Sequence, residues 1–200
     1  MIRKKTFIPI AIFAVLIGLY PLMYLFVSKE YTFLSTKSVE ILKDQLWRIF
    51  FMLHVSFGGL SLLIGWIQFI QKVRLQKPSI HRIVGFVYIL SVLISAISGI
   101  YIGIYANFGI ISSLGFISLG IVWLLTTILA FIEIKKGNIN AHQKWMIFSY
   151  AACFSAVTLR IYLPLLNMLF DGDIAYSTVA WLCWVPNMAV AYLIVRKLKL

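Results

Sequence analysis

Six apolar stretches, near residues 7–27, 48–70, 83–105, 112–134, 146–168 and 178–195, fill most of this 200-residue chain. Each is close to the roughly 20 residues a helix needs to cross the hydrocarbon core of a bilayer. A soluble domain of this length has nowhere to bury six such segments, so the expected architecture is an all-α polytopic membrane protein. The runs are continuous, without the period of two that marks barrel strands. With 62% hydrophobic and only 12% charged residues, the chain is expected to form one integral membrane domain over residues 1–200, with no separate soluble domain.

Charge gives the expected topology. The basic residues gather in four regions: Arg3, Lys4 and Lys5; Lys72, Arg74, Lys77 and Arg82; Lys135, Lys136 and Lys144; and Arg196, Lys197 and Lys199. All four fall on one side of six alternating spans. The other side carries Lys29, Lys37, Lys43 and Arg48, diluted by Glu30, Glu40 and Asp44, with Asp171 and Asp173 in the last loop. The positive-inside rule then places both termini in the cytoplasm and the protein in the cell membrane. The net charge of +12 thus reflects topology and implies no nucleic-acid partner. The first stretch, too long and without a small-residue cleavage site, reads as an uncleaved anchor. Cys153 and Cys183 both lie within spans and read as packing residues.

Polar and small residues inside the spans form stripes. His54, Gly58, Ser61, Gly65 and Gln68 recur at helical spacing on span two. His81, Gly85, Tyr88, Val92, Ser95 and Gly99 do so on span three, and His142, Met146, Ser149, Cys153, Ala156 and Arg160 on span five. Span four repeats the pattern more weakly in Ser113, Phe116, Gly120, Trp123 and Thr127. Such residues face other helices in a membrane. Spans two to five are therefore expected to form an inner four-helix bundle, flanked by spans one and six.

All three histidines lie on these faces. His81 and His142 open spans three and five at the basic boundary, each after a basic loop and two turns before a tyrosine. This weak internal repeat would set them diagonally across the bundle, an arrangement suited to two axial ligands of one haem b. The plainer reading is that a histidine beside Arg82 or Lys144 anchors its helix at anionic headgroups. His54 lies about two turns from the opposite surface. Arg160, deep in span five with no carboxylate inside any span, is costly unless paired. His54 and Arg160 could share a pocket for a propionate, a quinone oxygen or a lipid phosphate. Pro164 offers the alternative of carbonyls freed nearby; Pro21, Pro164 and Pro186 are expected inside or near the outer ends of spans one, five and six, where a kink is tolerated.

The ordered set of His54, Gly65, Gln68-Phe69, His81-Arg82, Gly85, Tyr88, His142, Trp145-Met146, Tyr150-Ala151 and Leu159-Arg160 resembles the bacterial membrane-protein family catalogued as domain of unknown function 2306, over about residues 50–165. The resemblance implies an integral membrane protein without an established activity and marks His54, His81, Arg82, His142, Trp145, Met146 and Arg160 as matching positions. A four-helix core with one helix on each side is also similar in architecture to the cytochrome b561 superfamily. Three histidines cannot ligate two haems in pairs, so that analogy implies at most one haem b. Two function classes follow. One is a redox protein that binds a single haem b or a quinone and passes electrons to another membrane redox protein, with Trp66, Tyr88, Trp123 and Trp145 packing the cofactor. The other is a non-enzymatic permease or assembly factor using His54 and Arg160 for an anionic group. No nucleophile elbow, zinc-protease motif or paired intramembrane carboxylates support hydrolysis.

Overall fold

The computed structural model describes residues 4–28 and 31–199, with side chains from residue 8 onward. Arg3, Lys29 and Glu30, together with the side chains of Lys4 and Lys5, lie outside the described residues. Among the described residues there is no strand, and six helical spans are long and apolar enough to cross a membrane: Ile8–Phe26, Gln45–Phe69, Pro78–Gly103, Ile110–Lys135, Ile139–Asn167 and Gly172–Leu198.

Span two packs along span three, three along four and four along five, and five returns to touch two. Spans two to five thus close a four-helix ring with three and five on a diagonal. Span one lies on span two and touches five, while span six lies on four and five. The residues between the helices are those of the sequence stripes: Ser61, Tyr88, Val92, Ser95, Thr127, Ser149 and Cys153 are all buried.

Local chemistry sets where the spans begin. Asp44 caps span two, its Oδ1 accepting from the amides of Leu46 at 2.8 Å and Trp47 at 3.3 Å. Pro78 starts span three, where its missing N–H costs nothing. Asn138 caps span five through Oδ1 and the amide of Ala141. These starts put His81 and His142 each in the first turn of its helix.

Spans five and six are both interrupted. Span five breaks at Phe154, between the helices Ile139–Cys153 and Ser155–Asn167, while Pro164 sits inside the second of these without ending it. Span six begins at Gly172, earlier than its hydropathy indicates, so Pro186 lies in mid-span. There it opens the helix Val185–Leu198, after a break that follows Leu182. A proline supplies no amide to the preceding turn and disfavours helical backbone at the residue before it. One side chain serves both breaks. The Asn187 Nδ2 donates to the carbonyls of Cys183 (3.0 Å) and Ala151 (3.3 Å) and to Thr158 Oγ1 (3.2 Å). Thr158 Oγ1 in turn donates to the Cys183 carbonyl. Backbone groups freed inside a membrane must be satisfied in this way.

The connection between spans one and two is built rather than loose. A 3-10 turn, Phe33–Thr36, and a short helix, Val39–Lys43, cover an aromatic cluster of Tyr24, Phe33, Trp47 and Phe51. Lys37 is buried beneath them. Its Nζ donates to the Tyr105 carbonyl and, at 2.8 Å, to Asn107 Oδ1. The Asn107 amide returns bonds to Thr36. Burial pushes the Lys37 ammonium down from 10.5 to about 8. Between those values the unfolded segment holds a proton that the folded clasp has released, so the clasp gains stability as pH rises through that window and loses it as pH falls through about 8. Hydrogen exchange of residues 31–44, corrected for its intrinsic pH dependence, is therefore expected to slow several-fold from pH 7.5 to pH 10. Lys37→Met is expected to flatten this dependence, and an unchanged slope in that variant would rule Lys37 out as its source.

Candidate functional site

At the basic end of the bundle, all six spans and the short helix Gln71–Gln76 line a cavity of about 1490 Å³. Its walls include Phe69, Phe86, Ile89, Phe131, Met146 and Ile147, and the polar groups reaching it include Gln68, His81, His142, Lys72, Arg74, Arg82 and Lys135. Among the described residues no carboxylate lines it. The nearest acid in sequence, Glu133, pairs instead with Lys136 at 3.1 Å and accepts from Asn138 at 3.0 Å.

The two imidazoles enter from the first turns of spans three and five and lie within electrostatic reach of each other. Each is fixed by its Nδ1. His142 Nδ1 donates to the Ala130 carbonyl on span four at 2.8 Å, which leaves Nε2 as a bare lone pair. His81 Nδ1 faces the Gln68 amide, which is buried in the 3-10 turn that ends span two. The orientation that satisfies every group turns the Gln68 nitrogen toward His81 Nδ1 (2.7 Å) and the His81 carbonyl (3.1 Å), with its oxygen accepting from the Gly85 amide at 3.2 Å. His81 then carries its proton on Nε2. One imidazole offers a donor, the other an acceptor.

A single haem iron needs two bare imidazole nitrogens. His142 meets that demand as it stands, with the carbonyl-bound Nδ1–H that orients ligating histidines generally. His81 does not meet it as it stands: its Nε2 carries the proton, and baring that nitrogen needs the Gln68 oxygen at Nδ1, which would face that oxygen to the His81 carbonyl and the Gln68 nitrogen to the Gly85 amide. The unpaired cations Lys72, Arg74, Arg82 and Lys135 suit carboxylates at the mouth. Among the described residues no three His, Cys, Asp or Glu side chains come together to hold a metal by themselves. In chemistry the apolar wall, the cations and His142 are compatible with a haem, and His81 only with Gln68 reversed.

Some expected participants are elsewhere. Trp145 is turned away from the cavity, under the Lys144 ammonium at 5.1 Å and against Phe148. Trp66, Tyr88 and Trp123 do not line it either; its aromatic wall is Phe69, Phe86 and Phe131. Tyr88 belongs to a buried girdle one level further in, where its hydroxyl meets Ser149 Oγ at 2.8 Å and Ser149 meets Thr127 at 2.6 Å. Gln68, missed as a site residue, was visible in sequence as the last member of the span-two stripe and, with Phe69, in the family-like run.

His54 and Arg160 form a second cluster toward the opposite end. His54 Nδ1 lies 2.9 Å from the Ser95 carbonyl, and Ser95 Oγ donates to the His54 carbonyl at 2.9 Å. Gly99 makes this possible, because a Cβ there would stand 2.7 Å from His54 Nδ1. Arg160 lies within electrostatic reach of His54. Its guanidinium carbon sits 4.2 Å over the Tyr20 ring, and one of its nitrogens donates to the Ala156 carbonyl at 2.9 Å. Span one thus contributes to this cluster, which no stripe foretold.

Comparison with curated proteins and with solved structures returned no match. Residues 51–195, spans two to six almost entire, match a family described as a predicted membrane protein, and that range carries all three histidines and Arg160. The chain belongs to the domain of unknown function 2306 family of membrane proteins.

Proposed function

We propose that this protein is a redox subunit of the cell membrane that holds one haem b in the basic-end cavity, with His81 and His142 as axial ligands. The observation that supports this reading is the meeting of two imidazoles, four unpaired cations and an apolar wall in one cavity that no carboxylate among the described residues lines. Bound haem would supply a one-electron centre. The remaining work falls to the chain. The Ala130 carbonyl orients His142, Gln68 orients His81, and Lys72, Arg74, Arg82 and Lys135 offset the charge of the propionates. Phe69, Phe86, Phe131 and Met146 line the cavity and would shield a bound haem from water. By the positive-inside rule this end is cytoplasmic, which puts the electron partner there or in the adjoining leaflet.

The complementary protonation of the imidazoles favours a second reading, a quinone. His81 Nε2–H suits a quinone carbonyl, and the bare Nε2 of His142 suits a quinol hydroxyl.

Absorption spectra of the purified full chain, expressed with haem supplied, test the first reading. A Soret band with a sharp reduced α-band, lost in both His81→Ala and His142→Ala, is expected. A featureless spectrum under conditions that load a control cytochrome fully sinks the haem reading. Co-purified quinone lost in the same variants would then establish the second.

A further inference from the structure

We infer that Arg160, with Tyr20 and Tyr24, forms a receptor for the oxyanion of an amphiphile, a phosphate or carboxylate head, at the end of the bundle remote from the basic cavity. The inference does not depend on the haem reading.

Arg160 carries five N–H donors, and only the bond to the Ala156 carbonyl engages one of them. That carbonyl is one turn back on the same helix, so the bond orients the guanidinium without neutralising it. Stacking on Tyr20 offsets only part of the cost of holding a cation inside a span. Nothing negative supplies the remainder. The charged and titratable groups that bear on Arg160 are Tyr20, Tyr24 and His54. His54 is pinned to Ser95 and brings no negative charge. The only ion pair among the described residues is the one between Lys136 and Glu133 at the other end.

The cluster lies where span one meets spans two and five, and its side chains are half-buried. Tyr24 stands edge-on to Tyr20, with 6.1 Å between ring centroids, and within electrostatic reach of the guanidinium. Both tyrosines belong to span one, whose Leu19, Leu22 and Leu25 are exposed. Tyr24 is two residues from the end of its span at Phe26, and Arg160 is two turns from the end of its own at Asn167. An anionic head entering between spans one and five would find the free guanidinium N–H groups and the phenol hydroxyls without displacing any ion pair.

The test is a native mass-spectrometric titration of the full chain in a non-ionic detergent with dioleoyl phosphatidylglycerol, repeated in Arg160→Gln. Loss of one charge-assisted contact is expected to weaken the first binding event about tenfold. A competition arm with inorganic phosphate names the source: displacement at millimolar concentration identifies a free oxyanion site, and resistance identifies a lipid headgroup. Equal phosphatidylglycerol binding by the wild type and a folded Arg160→Gln overturns the inference. Should Arg160→Gln fail to fold, photo-crosslinking of the wild type with a head-labelled phosphatidylglycerol decides instead. Labelling of residues 16–27 and 155–167 supports the receptor, and labelling elsewhere alone overturns it.

Discussion

Gly65→Ala is expected to cost this protein at least about 2 kcal/mol, and Gly65→Val enough to prevent a stable bundle. A methyl group at residue 65 would lie 2.5 Å from one ring carbon of Tyr150 and 2.8 Å from one of Tyr88. Neither ring can retreat cheaply. Tyr88 is wholly buried and held by Ser149, and Tyr150 donates to the Leu62 carbonyl at 3.3 Å. Helix propensity alone argues for the opposite sign, since alanine is favoured over glycine by about 1 kcal/mol in a helix interior. The clash must therefore outweigh that gain. Gly172→Ala provides the control: a Cβ there meets nothing within 4 Å. Thermal unfolding in detergent, followed by circular dichroism, should show Gly65→Ala well below the wild type and Gly172→Ala at or above it. A Gly65→Ala protein as stable as the wild type would mean that the tyrosines do not cross span two as described.

That crossing explains which parts of the architecture can be read from residue order. The stripes on spans two, three and five are records of close packing: Gly65 admits two rings, Gly99 admits His54, and Ser149 joins Tyr88 to Thr127. Small and polar residues at helical spacing have few other uses in lipid, so the inner ring of four helices was legible. The break at Phe154 was not, because no proline or glycine marks it and the Ala151 carbonyl beside it is met by Asn187 from another span. Pro164, the residue that seemed to announce a bend, continues its helix.

The site divides in the same way. His81 and His142 stand out as rare residues at matched helix starts. Gln68 does not, because its stripe shows that it faces inward but not that it meets His81, which another helix carries. Trp145 keeps helical register with His142 yet turns toward Lys144, as amphipathic rings do at a charged boundary. The Tyr20 and Arg160 contact joins the first span to the fifth, and no periodicity within one helix reports on a partner in another.

Gln68 also separates the two candidate ligands of the cavity. Gln68→Leu removes the partner of His81 Nδ1 and leaves the His81 ring free to turn; loss of such an orienting contact costs about 10–100-fold in ligand affinity. It is expected to weaken both haem and quinone, and so identifies the cavity without naming its guest. Gln68→Glu divides them. A carboxylate at residue 68, among Lys72, Arg74, Arg82 and Lys135, stays ionised and only accepts, so it draws the His81 proton to Nδ1 and bares Nε2. His81 then matches His142, whose Nδ1–H already rests on Ala130. Haem retention should hold or tighten, and the reduction potential should fall as the ligand becomes more basic. A quinone carbonyl would instead lose its donor and bind at least about tenfold more weakly. Spectral titration of haem and fluorescence titration of a short-chain quinone, on the wild type and both variants, read the two signs directly. Haem lost from Gln68→Glu as completely as from Gln68→Leu would remove His81 from the ligand set.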